Sequence, residues 1–177
     1  MIKFMSTSTD SSYVPLVLED GSQEWRQGGV AEGVLHRVDG PAKIWADGRK
    51  EWWVHGAIHR EAGAAIELAD GGREWYDNHQ LHRLGGPAID HADGTRKWYE
   101  RNQLHRMDGP AVELADGRRS WWLRGLRHRE DGPAVEGRGL PEYWLRGELA
   151  SSEEARRIAM ECALRDLELP TPEKVTF

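Results

Sequence analysis

Apolar and polar positions along this chain recur with a period far longer than that of any helix or strand. Trp52, Trp75, Trp98, Trp121 and Trp144 stand 23 residues apart, and the same step links His36, His59, His82, His105 and His128. Each histidine is followed by arginine, from Arg37 to Arg129, and Gly40, Gly63, Gly86, Gly109 and Gly132 keep the register. Five copies therefore read roughly L-H-R-x-D-G-P-A-x-x-x-A-D-G-x-x-x-W-[WY]-x-x-G, which makes the repeat the unit of architecture. Within one copy, Pro110 to Ala115 has strand length and opens on a proline, Asp116-Gly117 is a turn signal, and Ser120 to Leu123 is β-prone. Each copy thus predicts one antiparallel hairpin followed by a ten-residue connecting loop, with no room for a long helix.

Two registers fit the turn. A two-residue Asp-Gly loop opposes Ile66 to Trp75, Ile89 to Trp98 and Val112 to Trp121, but sets Glu67 against Glu74. A three-residue Ala-Asp-Gly loop with a glycine bulge opposes Glu67 to Arg73, Asp90 to Arg96 and Glu113 to Arg119. Apolar burial outweighs exposed ion pairs of a few tenths of a kcal/mol, which favours the first.

A lone hairpin is marginal, so neighbours must stack. The expectation is a mainly β fold: a single-layer, twisted antiparallel hairpin meander of about six hairpins and twelve strands, with one C-terminal α-helix. Residues 1–17 form an irregular lead-in, 18–149 the repeat array, 150–169 the helix and 170–177 a tail. A partial copy from Asp20 to Trp25 precedes the regular array, displaced by four residues. The helix is announced by a Ser151/Glu154 capping box and closed by Pro170. Its apolar side, Ile158, Ala159 and Cys162 with Met160, Ala163, Leu164 and Leu167, suits it to cap the last hairpin.

Composition sharpens this. Nine tryptophans among 177 residues exclude global disorder and imply packed or binding surfaces. One cysteine excludes an intramolecular disulfide and a cysteine-based zinc site. Thirty acidic residues against 24 Lys and Arg weigh against duplex nucleic acid or an anionic membrane as partner. No stretch has the apolar length of a signal peptide or membrane span, so a cytoplasmic location is expected.

The 23-residue period, the aromatic-x-x-Gly-x-x-His segment at Trp53, Gly56 and His59, and the Ala-Asp-Gly turn resemble MORN repeats. They resemble most the looser MORN-like repeats of phage, large-virus and bacterial proteins. The likeness covers about residues 18 to 149, although a MORN unit usually reads His-Gly-x-Gly where this one reads His-Arg-x-Asp-Gly-Pro-Ala. It implies a single-layer, groove-shaped sheet with a scaffold or interaction role, in a phage or bacterial accessory protein.

The repeated His-Arg pair invites a catalytic or metal reading. Successive equivalent histidines sit two strands, about 9 to 10 Å, apart, too far to share one zinc. The expected role is structural, each His-Arg donating hydrogen bonds to loop carbonyls and to Asp39, Asp108 or Asp131; the motif aspartate is replaced by Ala62 and Gly85 in the second and third copies. No catalytic residue, metal site or cofactor is expected, and Cys162 reads as a buried, inert thiol. The column of Trp52, Trp75, Trp98, Trp121 and Trp144 reads as core, while Trp53, Tyr76, Tyr99 and Trp122 project to the opposite side. Lys50, Arg73, Arg96 and Arg119 form a cation column beside the acidic row Glu67, Asp90, Glu113 and Glu136.

Partner choice should lie in positions that vary between copies. The candidates are Trp45, Trp53, His55, Tyr76, Tyr99, Arg101, Trp122 and Arg124, of the residue types that dominate interface energetics. The expected function is a non-enzymatic protein-binding module, an inhibitor or adaptor. The alternative is a small-ligand, nucleotide or single-stranded nucleic-acid binder using the loop His-Arg residues. An open sheet edge at the N-terminal strand offers a route to a homodimer.

Overall fold

The computed structural model describes residues 15–27 and 32–168, apart from the side chains of residues 162–163 and 165–168 in the helix. The chain divides into two compact bodies, with the boundary between Asn102 and Gln103. The N-terminal body carries an antiparallel meander of eight two-residue strands: Leu16–Val17, Gln23–Glu24, Lys43–Ile44, Lys50–Glu51, Ile66–Glu67, Arg73–Glu74, Ile89–Asp90 and Arg96–Lys97. The C-terminal body continues the same pattern in Val112–Glu113, Arg119–Ser120 and Val135–Glu136, then ends in the helix Ser152–Glu168. The fold is mainly β with one helix and, among the described residues, no closed barrel.

The turn adopts the three-residue register. Glu67 faces Arg73, Asp90 faces Arg96 and Glu113 faces Arg119, while Ile66 faces Glu74 and not Trp75. The apolar pairing favoured from sequence is thus overturned, because Leu68 closes the loop with both Gly71 and Gly72. Gly71 lies at φ +91°, the left-handed conformation that a glycine bulge requires. The register avoids the Glu67–Glu74 clash and sets the cations of the column against carboxylates: Lys50 faces Glu67, Arg73 lies between Glu67 and Asp90, Arg96 faces Asp90, and Arg119 lies between Glu113 and Glu136.

The expected ten-residue loop is a second hairpin, which raises the strand total among the described residues to 21. Trp53–Val54 pairs with Ala57–Ile58, Tyr76–Asp77 with Gln80–Leu81, Trp122–Leu123 with Leu126–Arg127, and Trp144–Leu145 with Glu148–Leu149. Both central residues of each turn have positive φ: His55 and Gly56, Asn78 and His79, Arg124 and Gly125, Arg146 and Gly147. That is the tight primed turn whose twist suits a hairpin. The sequence signal was present, since a Gly or Asn occupies one of the two turn positions in every copy, but no Asn-Gly or Asp-Gly pair advertises it.

The tryptophan column is not the centre of the core. Ala42, Ala65, Ala88, Ala111 and Ala134, again 23 residues apart, are each 0% exposed, whereas Trp52, Trp75, Trp98, Trp121 and Trp144 are half-buried. Each alanine sits where two chain segments meet. The Ala65 N–H donates to Glu74 C=O at 2.8 Å and its own C=O accepts from Trp52 N–H at 2.9 Å; Ala42 bridges Glu51 and Trp25 in the same way. The chain also bends at the column tryptophan, whose N–H and C=O serve different neighbours: Trp75 bonds Ala88 on one side and His82 on the other. Strict alternation fails at that bend, so Trp75 and Tyr76 line one recess together, as do Trp121 and Trp122. This corrects the expectation of two opposed aromatic rows.

The helix opens as expected, with Ser151 Oγ accepting the Glu154 N–H at 3.2 Å. Ile158, 2% exposed, is its anchor, while Met160 and Leu164 are 66% and 49% exposed, so the apolar side is narrower than the sequence suggested. Pro170 and the placement of the Cys162 side chain lie outside the described residues. No described helix is long and apolar enough to cross a membrane.

Candidate functional site: the stacked arginine loops

The His-Arg-x-Asp-Gly-Pro-Ala loop is built around its arginine. In the second copy the Arg60 guanidinium lies 3.9 Å from the centre of the Trp52 ring, in the third Arg83 lies 3.8 Å from Trp75, and in the fifth Arg129 lies 4.0 Å from Trp121. A cation over an indole face contributes about 0.5 to 2 kcal/mol, depending on desolvation. The opposite face of the guanidinium is closed by the motif glycine. A Cβ built on Gly40, Gly86, Gly109 or Gly132 would come within 2.8 to 3.0 Å of the arginine Cζ. Glycine is present here for space, and the arginine is sandwiched between indole and bare backbone.

The edge of the guanidinium is satisfied in the plane. One terminal nitrogen donates to the carbonyl four residues on: Pro41, Ala64, Pro87, Pro110 or Pro133. Carboxylates complete the set. Arg37 donates to Asp39 at 2.8 Å, Arg60 to Glu67 at 3.2 Å, Arg106 to Asp108 and Glu113, and Arg129 to Asp131 and Glu136. Hydrogen bonds from Arg37 and Arg106 hold the Asp39 and Asp108 carboxyls below their ordinary range. Burial disfavours the charged form of Arg129, yet its two carboxylates leave its proton more firmly held than usual.

The column histidines tie one copy to the next. His36 Nδ1 accepts the His55 N–H at 2.9 Å, His59 that of Asn78 at 3.4 Å, His105 that of Arg124 at 3.4 Å and His128 that of Arg146 at 3.3 Å. Each acceptor thus meets the first residue of a tight turn, an N–H that a hairpin of this kind leaves unused. His82 departs from the pattern: its Nδ1 is buried and has no partner.

Between successive loops the surface opens into recesses of about 710 Å³ (Trp52, Arg37, Arg60) and 630 Å³ (Trp75, Arg60, Arg83) in the N-terminal body, and 720 Å³ (Trp121, Arg106, Arg129) in the C-terminal body. At their rims stand Val38, Leu84 and Met107, respectively 75%, 80% and 86% exposed. These occupy one motif position, held by Glu61 and Glu130 in the other two copies, and the sequence reading passed over them although the 23-residue step marks them. Among the described residues no cluster of histidine, cysteine and carboxylate side chains could hold a metal ion.

The candidate partner-binding residues are dispersed. Trp45 and Trp53 are half-buried and point both indole N–H groups at the Glu51 carboxylate, at 2.8 and 2.9 Å. His55 is exposed in its turn and its ring stacks on His36 at 4.3 Å. Tyr76 donates to Glu74 at 3.0 Å; burial and that carboxylate push its phenol up to about 12, and burial pushes Tyr99 up as well. Trp122 donates to Ser120 at 2.7 Å, and Arg101 and Arg124 are exposed at positive φ. The structure gathers Trp45 with Trp53, and sets Tyr76 and Trp122 each in a recess of its own body. Compared with known proteins, the chain matches no family model and no curated sequence.

Proposed function

We propose that this chain is a MORN-like repeat scaffold that works as a non-enzymatic protein-binding module, an inhibitor or adaptor in a bacterial or phage-infected cytoplasm. The observation that carries the reading is the repeated pairing of an exposed apolar tip with a tryptophan-walled recess: Val38 with Trp52, Leu84 with Trp75, Met107 with Trp121. Large exposed apolar side chains mark interaction surfaces, and the tryptophan and arginine beside them are of the types enriched at interface hot spots. The internal engagement of the motif arginines and histidines in every copy but the third supports the non-enzymatic part, because these groups are already committed to carbonyls, carboxylates and turn N–H groups.

The test is affinity purification of partners with the full chain and with the triple variant Val38→Ser, Leu84→Ser, Met107→Ser. The tips are exposed, so the fold should persist. Partner capture should fall severalfold. Undiminished capture by the triple variant, or a thermal shift with nucleotides in place of any protein partner, would sink the reading.

A further inference from the structure

Four of the five loop arginines receive a carboxylate from their own copy, and Arg83 does not. The aspartate position two residues on is Gly85, and the position seven residues on, Glu67, Glu113 or Glu136 for Arg60, Arg106 and Arg129, holds the shorter Asp90. Asp90 is instead engaged with Arg96 at 3.3 Å. Among the described residues no carboxylate lies within ion-pair distance of Arg83, whose guanidinium donates to the Pro87 C=O at 3.0 Å while its backbone N–H serves Tyr99 C=O. Its guanidinium remains stacked 3.8 Å from Trp75, pre-oriented like those of Arg37, Arg60 and Arg129. The same copy carries the buried His82 Nδ1 without a partner, and both residues line the recess of about 630 Å³.

We propose that this recess is a carboxylate-binding site, taking an aspartate or glutamate side chain of a partner protein in the position that the other copies fill from within. The inference rests on the interaction reading and deepens it by naming the chemistry of one contact. Charge complementarity carries it: a planar, fixed guanidinium presents paired donors that a carboxylate matches bidentately. The other charges lining the recess are accounted for. Arg60 is bound to Glu67, Asp77 lies 3.1 Å from His59 Nδ1 and accepts from Asn78 at 2.9 Å, and Glu61 is exposed on the facing loop. Leu84 at the rim supplies apolar contact to the residues flanking the incoming acid.

The substitution Asp90→Glu tests it without disturbing the stack, because it restores the carboxylate that serves Arg60, Arg106 and Arg129. A short peptide with one glutamate between glycine and alanine residues is titrated into the full chain, following tryptophan fluorescence and the Arg83 guanidinium Nε–H resonance. A glutamine version of the peptide and inorganic phosphate serve as comparisons. The glutamate peptide should perturb Arg83, the glutamine peptide should bind roughly tenfold or more weakly, and Asp90→Glu should weaken the glutamate peptide by a similar factor. Equal binding by wild type and Asp90→Glu, equal binding of both peptides, a response to phosphate alone, or no response at millimolar peptide would each overturn the site. Partner capture that survives Asp90→Glu overturns the site and leaves the interaction reading standing; the loop-tip variant tests that reading separately.

Discussion

The first rungs of the N-terminal meander and the later ones fill the same inner row with opposite chemistry. Along Glu24, Lys43 and Glu51 the row is ionic, and the two carboxylates are each 4% exposed; along Ile66, Glu74 and Ile89 apolar side chains take over, with Ile66 at 4% and Ile89 at 9%. Glu24 is held by Lys43 at 2.8 Å and by Arg26, while Glu51 accepts from two indoles and pairs with Arg49 at 2.7 Å. Backbone pairing and the alanine column are the same in both stretches. The scaffold therefore dictates spacing, and the filling is free provided that every buried charge finds its donors.

The largest expected effect breaks the ionic half. Replacing Glu51 with alanine orphans two indole N–H groups and removes the carboxylate that pairs with Arg49, and should cost about 3 kcal/mol in urea denaturation. A loss below about 1 kcal/mol would mean that water takes over those donors. Next, Ile66→Ala in the apolar half should cost about 2 to 3 kcal/mol by the same measurement, with no orphaned polar group. Gly109→Ala should follow at about 1 to 2 kcal/mol, since the new Cβ, 3.0 Å from the Arg106 Cζ, must move a guanidinium held on its other edges by Pro110, Asp108 and Glu113. A stabilised Gly109→Ala protein would refute the account of that glycine.

Acid should separate the halves more gently. Burial pushes the Glu24 carboxyl up, but hydrogen bonds from Lys43 and Arg26 overcome it and hold the group below its ordinary value of 4.5. Its contribution is therefore complete above that value and is lost below it, as pH falls through the lower value that the folded state sets. Amide exchange at Gln23 to Glu51 should accelerate below about pH 4.5 more than at Ile66 and Ile89. The smallest effect lies at the alkaline end. Tyr76, raised from 10.0 to about 12, contributes stability at neutral pH that fades as pH climbs through that interval, and its ultraviolet titration should lag behind a free tyrosine.

How far this was legible in the sequence depends on the range of the interaction. The repeat, the Asp-Gly turns, the meander and the Ser151 cap are written in neighbouring residues. The turn register was decided by cross-strand charge and a bulged glycine against an Ile66–Trp75 pairing that looked better on apolar area alone. The second hairpin was hidden because Asn78-His79 and Arg124-Gly125 are weaker turn signals than Asp-Gly. The Arg60–Trp52 stack spans a chain reversal that only the hidden hairpin creates, so neither residue's role could be seen before that turn was known. The alanine column was visible as a letter of the motif, but its total burial follows from close backbone approach, which side-chain size alone does not announce.

One irregularity shows what the design tolerates. In the partial first copy Trp25 precedes its arginine, Arg37, by twelve residues where later copies allow eight, yet the guanidinium still lies 4.3 Å from the indole centre. The Gln27 N–H donates to the Val34 carbonyl at 2.9 Å, and Arg26 is bridged to Leu35, so the register beneath the stack is kept. The contact between cation and indole therefore depends on the rungs that flank it and not on the length of chain joining its two partners, so spacing along the sequence and spacing in the stack are separately adjustable.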